Sequence, residues 1–136
     1  MSDRSEGGLA DKLIGSWRYL GTRIDGKAWD RGANPKGMIY YGRHSEMAVQ
    51  IAPDVERKRA AAAMTAEEAK IALTDYIAYF GTYSVDEVAG TVTHHRIATI
   101  QPGDSGDFVR RCEFDGDRLT LRPPDSTLEV MWERIK

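Results

Sequence analysis

The chain has 136 residues, 41% of them hydrophobic and 29% charged, with a formal net charge of -2. That length suits one domain with a core of its own, and the near-neutral balance excludes the positive field by which proteins hold nucleic acid or anionic membranes. Cys112 is the one cysteine, so neither an intramolecular disulfide nor a thiolate metal cluster can form.

Residues 1–10 are dominated by Ser, Gly and charges and read as a loose tail, with 11–136 as the domain. The first eight residues lack the apolar core of a secretory signal, and no apolar run approaches the roughly 20 residues of a membrane helix. The expected location is cytoplasmic. A first strand spans 13–24, with Trp17 and Tyr19 on one face and Ser16, Arg18 and Leu20 on the other. Gly15 at its start permits close backbone approach, and the indole two residues later can plug the end of a barrel. Asp25-Gly26 turns the chain. Residues 28–36 show no period and read as loop.

Strands follow at 37–41 and 46–51, separated by Gly42-Arg43-His44. In the second, Met47, Val49 and Ile51 oppose Glu46 and Gln50. Residues 55–64 form a mobile or partly helical connection. Thr65 with Glu68 three positions on makes a capping box, and Ile71, Leu73, Tyr76, Ile77 and Phe80 fit a helical face through about Tyr79. Further strands are expected at 79–85, 91–100, 107–114, 118–122 and 127–135, divided by turns at 86–90, 101–106, 115–116 and 123–125. The expected fold is all-β: eight antiparallel strands in an up-and-down barrel with one inserted helix. Eight strands close a barrel with room for side chains or one small ligand.

With its strands placed, the chain resembles the small bacterial and fungal lipocalin-like domains, β-barrels of the calycin type. The residues that carry the resemblance are Leu13-Ile14-Gly15-Ser16-Trp17-Arg18, Asn34-Pro35-Lys36-Gly37-Met38-Ile39-Tyr40, Tyr76 to Tyr83 and Gly90 to His95. Arg110-Arg111, Asp115 to Leu121 and Trp132-Glu133-Arg134 continue it to the end of the chain. The resemblance implies a barrel with an inner cavity, in a family of small-molecule binders and some cofactor-free enzymes. It also implies that Arg134 packs across Trp17 by a cation–π contact. The disulfides and signal peptides of secreted lipocalins are missing from this sequence, which argues against a secreted carrier.

His94 and His95 are adjacent on a strand, so they point to opposite faces and cannot chelate one ion. His94 shares a face with Val92, Ala98 and Ile100 and is the inward choice. There it is either a satisfied core histidine or a general acid or base. Arg110 alternates with Phe108, Cys112 and Phe114. Inside a barrel a guanidinium needs a partner, so Arg110 either forms an internal salt bridge or grips a carboxylate or carbonyl of a ligand. Tyr40, Tyr79 and Tyr83 offer apolar walls with a hydroxyl, and Cys112 reads as a small buried apolar residue.

The expected cavity wall comprises Trp17, Tyr19, Tyr40, Met47, Tyr79, Tyr83, His94, Arg110 and Trp132, with the helix as a lid at the mouth. The sequence holds no dinucleotide, P-loop, nucleophile-elbow or zinc-hydrolase motif, and no cofactor or metal is expected. The leading expectation is binding of a small, largely apolar or aromatic molecule in the cavity. The alternative is a cofactor-independent isomerase, cyclase or lyase. There His94 moves a proton while Arg110 or Tyr83 stabilises negative charge. A third reading is an interaction domain using the exterior. No nucleic-acid or membrane partner is expected, and a homodimer is compatible with the sequence.

Overall fold

In the computed structural model, which describes residues 8–103 and 106–136, the polypeptide winds into a closed eight-stranded antiparallel barrel with one extra strand and two small helices. The helices are α1 (Leu9–Leu13) and α2 (Ala66–Leu73). The strands are β1 (Gly15–Ile24), β2 (Lys27–Ala28), β3 (Lys36–Tyr41), β4 (Glu46–Ala52), β5 (Ile77–Asp86), β6 (Thr91–Thr99), β7 (Gly106–Asp115), β8 (Arg118–Arg122) and β9 (Glu129–Arg134). Each strand from β3 onward pairs with the next, and β1 pairs with both β3 and β9. That second pairing removes the free edges of the sheet. β2 is a two-residue ribbon attached to β1 beyond the Asp25-Gly26 turn.

Strict alternation sets the inner face. On β4, Met47, Val49 and Ile51 are buried between exposed Glu46, Ala48 and Gln50. On β8, Leu119 and Leu121 face inward. Two bulges break the period. On β1, Tyr19 pairs with Trp132 and Gly21 with Met131, so Leu20 is an extra residue. The parity shifts there, and Thr22 is buried beside Tyr19 rather than pointing outward. On β6, Arg96 pairs with Gly81 and Ala98 with Phe80, so Ile97 is extra. A Cβ on Gly81 would lie 2.0 Å from the His95 carbonyl oxygen, so glycine is what this close crossing requires. His94 is inward and His95 outward as expected, but Ala98 lies on the outside because of this bulge.

One end of the barrel is sealed by α1, whose Leu13 is fully buried. The expected tail therefore stops short of Leu9 and Ala10, which are helical; its first seven residues lie outside the described residues. Leu9 and Ala10 donate their backbone N–H groups to the Glu87 carboxylate, at 2.8 and 3.2 Å. A negative group at the unpaired N–H groups of a helix start is the expected complement. Gly15 has φ +128, in the region that disfavours side chains, and a Cβ there would lie 3.0 Å from Arg134 Nη1.

The inserted helix is shorter than its apolar spacing predicts. The capping box forms: Glu68 N–H donates to Thr65 Oγ1 at 3.1 Å, and Thr65 N–H donates to Glu68 Oε1 at 2.8 Å. After Leu73 the chain leaves the helix, and Asp75 takes a left-handed φ of 58. Ile77 then pairs with Ile51, and Tyr79 with Val49. Residues 77–79, expected in the helix, belong to β5 because sheet pairing and an inward Tyr79 outweigh continuation of a helix that buries none of its residues.

Candidate functional site

A cavity of about 120 Å³ lies inside the barrel at the end opposite α1. Ile39, Val49, Ile51, Ile77, Leu121 and Val130 give it apolar walls, and Tyr79, Phe108 and Trp132 add aromatic surface. Thr22, Arg31, His94 and Arg110 are the other polar residues that reach it. A larger depression of about 620 Å³ lies on the outer face, over β3 to β6, and holds neither His94 nor Arg110. It is a groove among exposed side chains such as Met38, Tyr40 and Phe80, so the ionisable chemistry belongs to the smaller, interior space.

His94 is clamped by two phenols. Tyr41 Oη lies 2.5 Å from Nε2, and Tyr79 Oη lies 2.7 Å from Nδ1. Burial, followed by the positive charges of Arg110, His95 and Arg96, pulls its pKa from 6.5 down to about 3. It is therefore neutral, with one ring nitrogen donating and the other accepting. Tyr41 is fully buried, and its pKa is pushed well above the usual phenol range, first by burial and then by Cys112, Tyr79 and Tyr83. Its hydroxyl has His94 as its hydrogen-bond partner among the described residues. Because Tyr41 has His94 as its acceptor, the consistent arrangement has Tyr41 O–H donating to Nε2 and His94 Nδ1–H donating to Tyr79 Oη.

Arg110 projects inward from β7. Its guanidinium stands over the Phe108 ring at 4.5 Å, and Nη1 donates to the neighbouring Val109 carbonyl at 3.0 Å. Burial lowers its pKa, Arg96 lowers it further, and Tyr79 and Tyr41 oppose the shift. Arg96 stacks over the same Phe108 ring at 3.6 Å. Burial also raises the Cys112 thiol to about 12, so it is an unreactive, protonated residue packed against the core. Among the described residues, no group of three or more His, Cys, Asp or Glu side chains could hold a metal ion.

The opposite end of the barrel is packed solid. Arg134 lies 4.2 Å over the Trp17 ring, as the resemblance implies, and donates to the carbonyls of Ile14 (2.9 Å) and Lys12. Trp17 Nε1–H donates to the Leu13 carbonyl at 2.9 Å. A family model described as a lipocalin-like domain matches residues 14–134. The chain belongs to this lipocalin-like domain family. No curated protein matches it. No helix among the described residues is long and apolar enough to cross a membrane.

Within this lipocalin-like barrel, Tyr79, His94, Arg110 and Trp132 line the inner cavity, as expected from their strand positions. The other expected wall residues do not. Trp17 belongs to the sealed end, where it packs on Phe114. Met47 is also buried in the core and lies outside the cavity lining. Tyr83 points its hydroxyl to the Gly42 carbonyl at 2.7 Å, away from any ligand. Tyr19 is buried beside Trp132, and its hydroxyl meets Thr22 Oγ1 at 2.5 Å. Tyr40 is on the outer face, because Ile39 and Tyr41 take the inner one. The helix lid is also corrected: no residue of α2 lines the cavity, whereas Arg31, from the segment between β2 and β3, does.

Two important residues were not singled out from the sequence. Tyr41 follows Met38-Ile39-Tyr40, a run apolar on both parities, so alternation there does not choose a face. Arg31 lies where no period exists, and it is held by its Nη1 donation to the Asp75 carbonyl, at 3.0 Å, and by its stacking over Trp29.

Proposed function

We propose that the barrel binds a small, largely apolar organic molecule in its inner cavity. The observation that carries this reading is the contrast in filling: side chains plug one end of the barrel, and the other keeps an apolar-walled space of about 120 Å³. An apolar cavity of about 150 Å³ accepts benzene, so the matching ligand is a compact ring or branched chain. A larger one requires the segment bearing Arg31 to move. The chemistry of a single protonated cysteine, with no disulfide among its needs, suits the cytoplasm.

The binding reading is favoured over proton transfer by His94. Its two nitrogens are engaged by Tyr41 and Tyr79, and a pKa near 3 makes it a weak base at neutral pH. The test is native mass spectrometry of the purified protein before and after denaturing extraction, together with toluene binding followed by NMR. A released mass, or saturable toluene binding that Ile51→Phe abolishes by filling the space, is the expected result. A clean apoprotein that ignores toluene removes the reading.

A further inference from the structure

The polar groups around the cavity are unbalanced. Among the described residues that line it, two are arginines and none is Asp or Glu. Arg110 has a ring beneath it and one neighbouring carbonyl as acceptor, but forms no ion pair among the described residues. Arg31 buries its Nε–H without an acceptor. Trp132, only 2% exposed, buries its indole N–H in the same state. Buried donors without acceptors are uncommon in folded proteins, and a desolvated guanidinium is costly without an opposing charge. The nearby Arg96 adds to the positive potential. Among the described residues, Arg31 and Trp132, which carry these unmatched donors, and the half-buried Arg110 all line one cavity, so the deficit belongs to the site as a whole.

We propose that the molecule held in this cavity is a small apolar carboxylate, its negative head bound by Arg110 and a ligand oxygen accepting the Trp132 indole N–H. This rests on the cavity-binding reading and specifies its ligand class. A bidentate guanidinium–carboxylate pair gives both the charge match and a fixed orientation. Apolar walls then receive the ring or branched chain. A neutral hydrocarbon would leave the donors unsatisfied, and a cation would be repelled.

The test uses the full-length protein at neutral pH with four probes of similar size: benzoate, benzamide, benzylamine and toluene. Affinities come from calorimetry or NMR titration. Benzoate is expected to bind at least tenfold more tightly than benzamide, with benzylamine weakest. Arg110→Met should erase the benzoate preference, and a Trp17 indole N–H resonance at its wild-type position certifies that the variant is folded. In wild-type protein the Trp132 indole N–H resonance should move downfield with benzoate and not with toluene. It is separable from Trp17, whose N–H is already bonded to Leu13, and from exposed Trp29. Toluene binding without a benzoate preference would overturn the carboxylate proposal and leave the cavity reading intact. A benzoate preference that persists in Arg110→Met would overturn the assignment to Arg110. Failure of all four probes removes both readings.

Discussion

The two ends of this barrel each place an arginine over an aromatic ring, with opposite consequences. At the sealed end Arg134 lies over Trp17 and donates to the carbonyls of Ile14 and Lys12. At the open end Arg110 lies over Phe108 and, among the described residues, donates to the carbonyl beside it alone. The first is a structural clamp, tying β9 to the end of α1 and to the residue that follows it. The second lines the cavity. Residue type and ring contact alone do not distinguish a clamp from a site. What separates them is whether the backbone nearby supplies acceptors.

The same truncation at both arginines separates the two roles. Arg134→Met removes two carbonyl hydrogen bonds and a cation–π contact, and should cost about 2 kcal/mol in urea denaturation. Arg110→Met relieves a desolvated charge and should leave stability within about 1 kcal/mol of wild type, or raise it. Equal losses at both ends would mean that Arg110 is a structural clamp as well.

His94 provides the next largest effect. The unfolded chain takes up the histidine proton near 6.5, whereas the folded chain does so only near 3. The stability that depends on neutral His94 is therefore complete above about pH 6.5 and is lost progressively as pH falls towards 3, at up to about 1.4 kcal/mol per unit. Between pH 6.5 and 5 the wild type should lose roughly 1.5 kcal/mol. His94→Gln, less stable at pH 7, should lack this slope. Glu46 and Glu68, whose pKa values are lowered from 4.5 by backbone N–H groups, act at more acid pH and do not interfere. Parallel pH profiles for the two proteins would show that His94 does not titrate as described.

The smallest effect belongs to α2. None of its residues is fully buried, and Ile71 and Leu73 are exposed, so Ile71→Ser or Leu73→Ser should change unfolding free energy by no more than about 0.5 kcal/mol. Benzoate affinity should be unchanged, since no α2 residue lines the cavity. A tenfold change in affinity from either substitution would restore the helix to the role of a lid.

Much of this molecule is legible in its residue order. Alternation in Met47-Ala48-Val49-Gln50-Ile51 and at Trp17 and Tyr19 sets the inner face. Turn residues divide the strands, and Thr65 with Glu68 marks the start of α2. These are local signals, carried by neighbours two to four positions apart. The inward choice of His94 over His95 also follows from parity, given Val92 on the same face.

The depth of each side chain along the barrel axis is another matter. Parity tells whether a residue faces in, not whether it lands in the plug or the cavity. Trp17, Met47, Tyr83, His94 and Arg110 are alike in sequence terms, and only closure between β1 and β9 assigns the first three to the core and the last two to the cavity wall. The bulges at Leu20 and Ile97 bring Thr22 inward and turn Ala98 outward, because an extra residue shifts every later side chain by one face. The end of α2 was settled by pairing between β4 and β5. Tyr41 and Tyr79 meet at His94 from strands far apart in the chain. The sequence by itself determined a barrel with an inward histidine and arginine; tertiary closure decided which end keeps a cavity and which residues line it, because depth depends on contacts between distant strands.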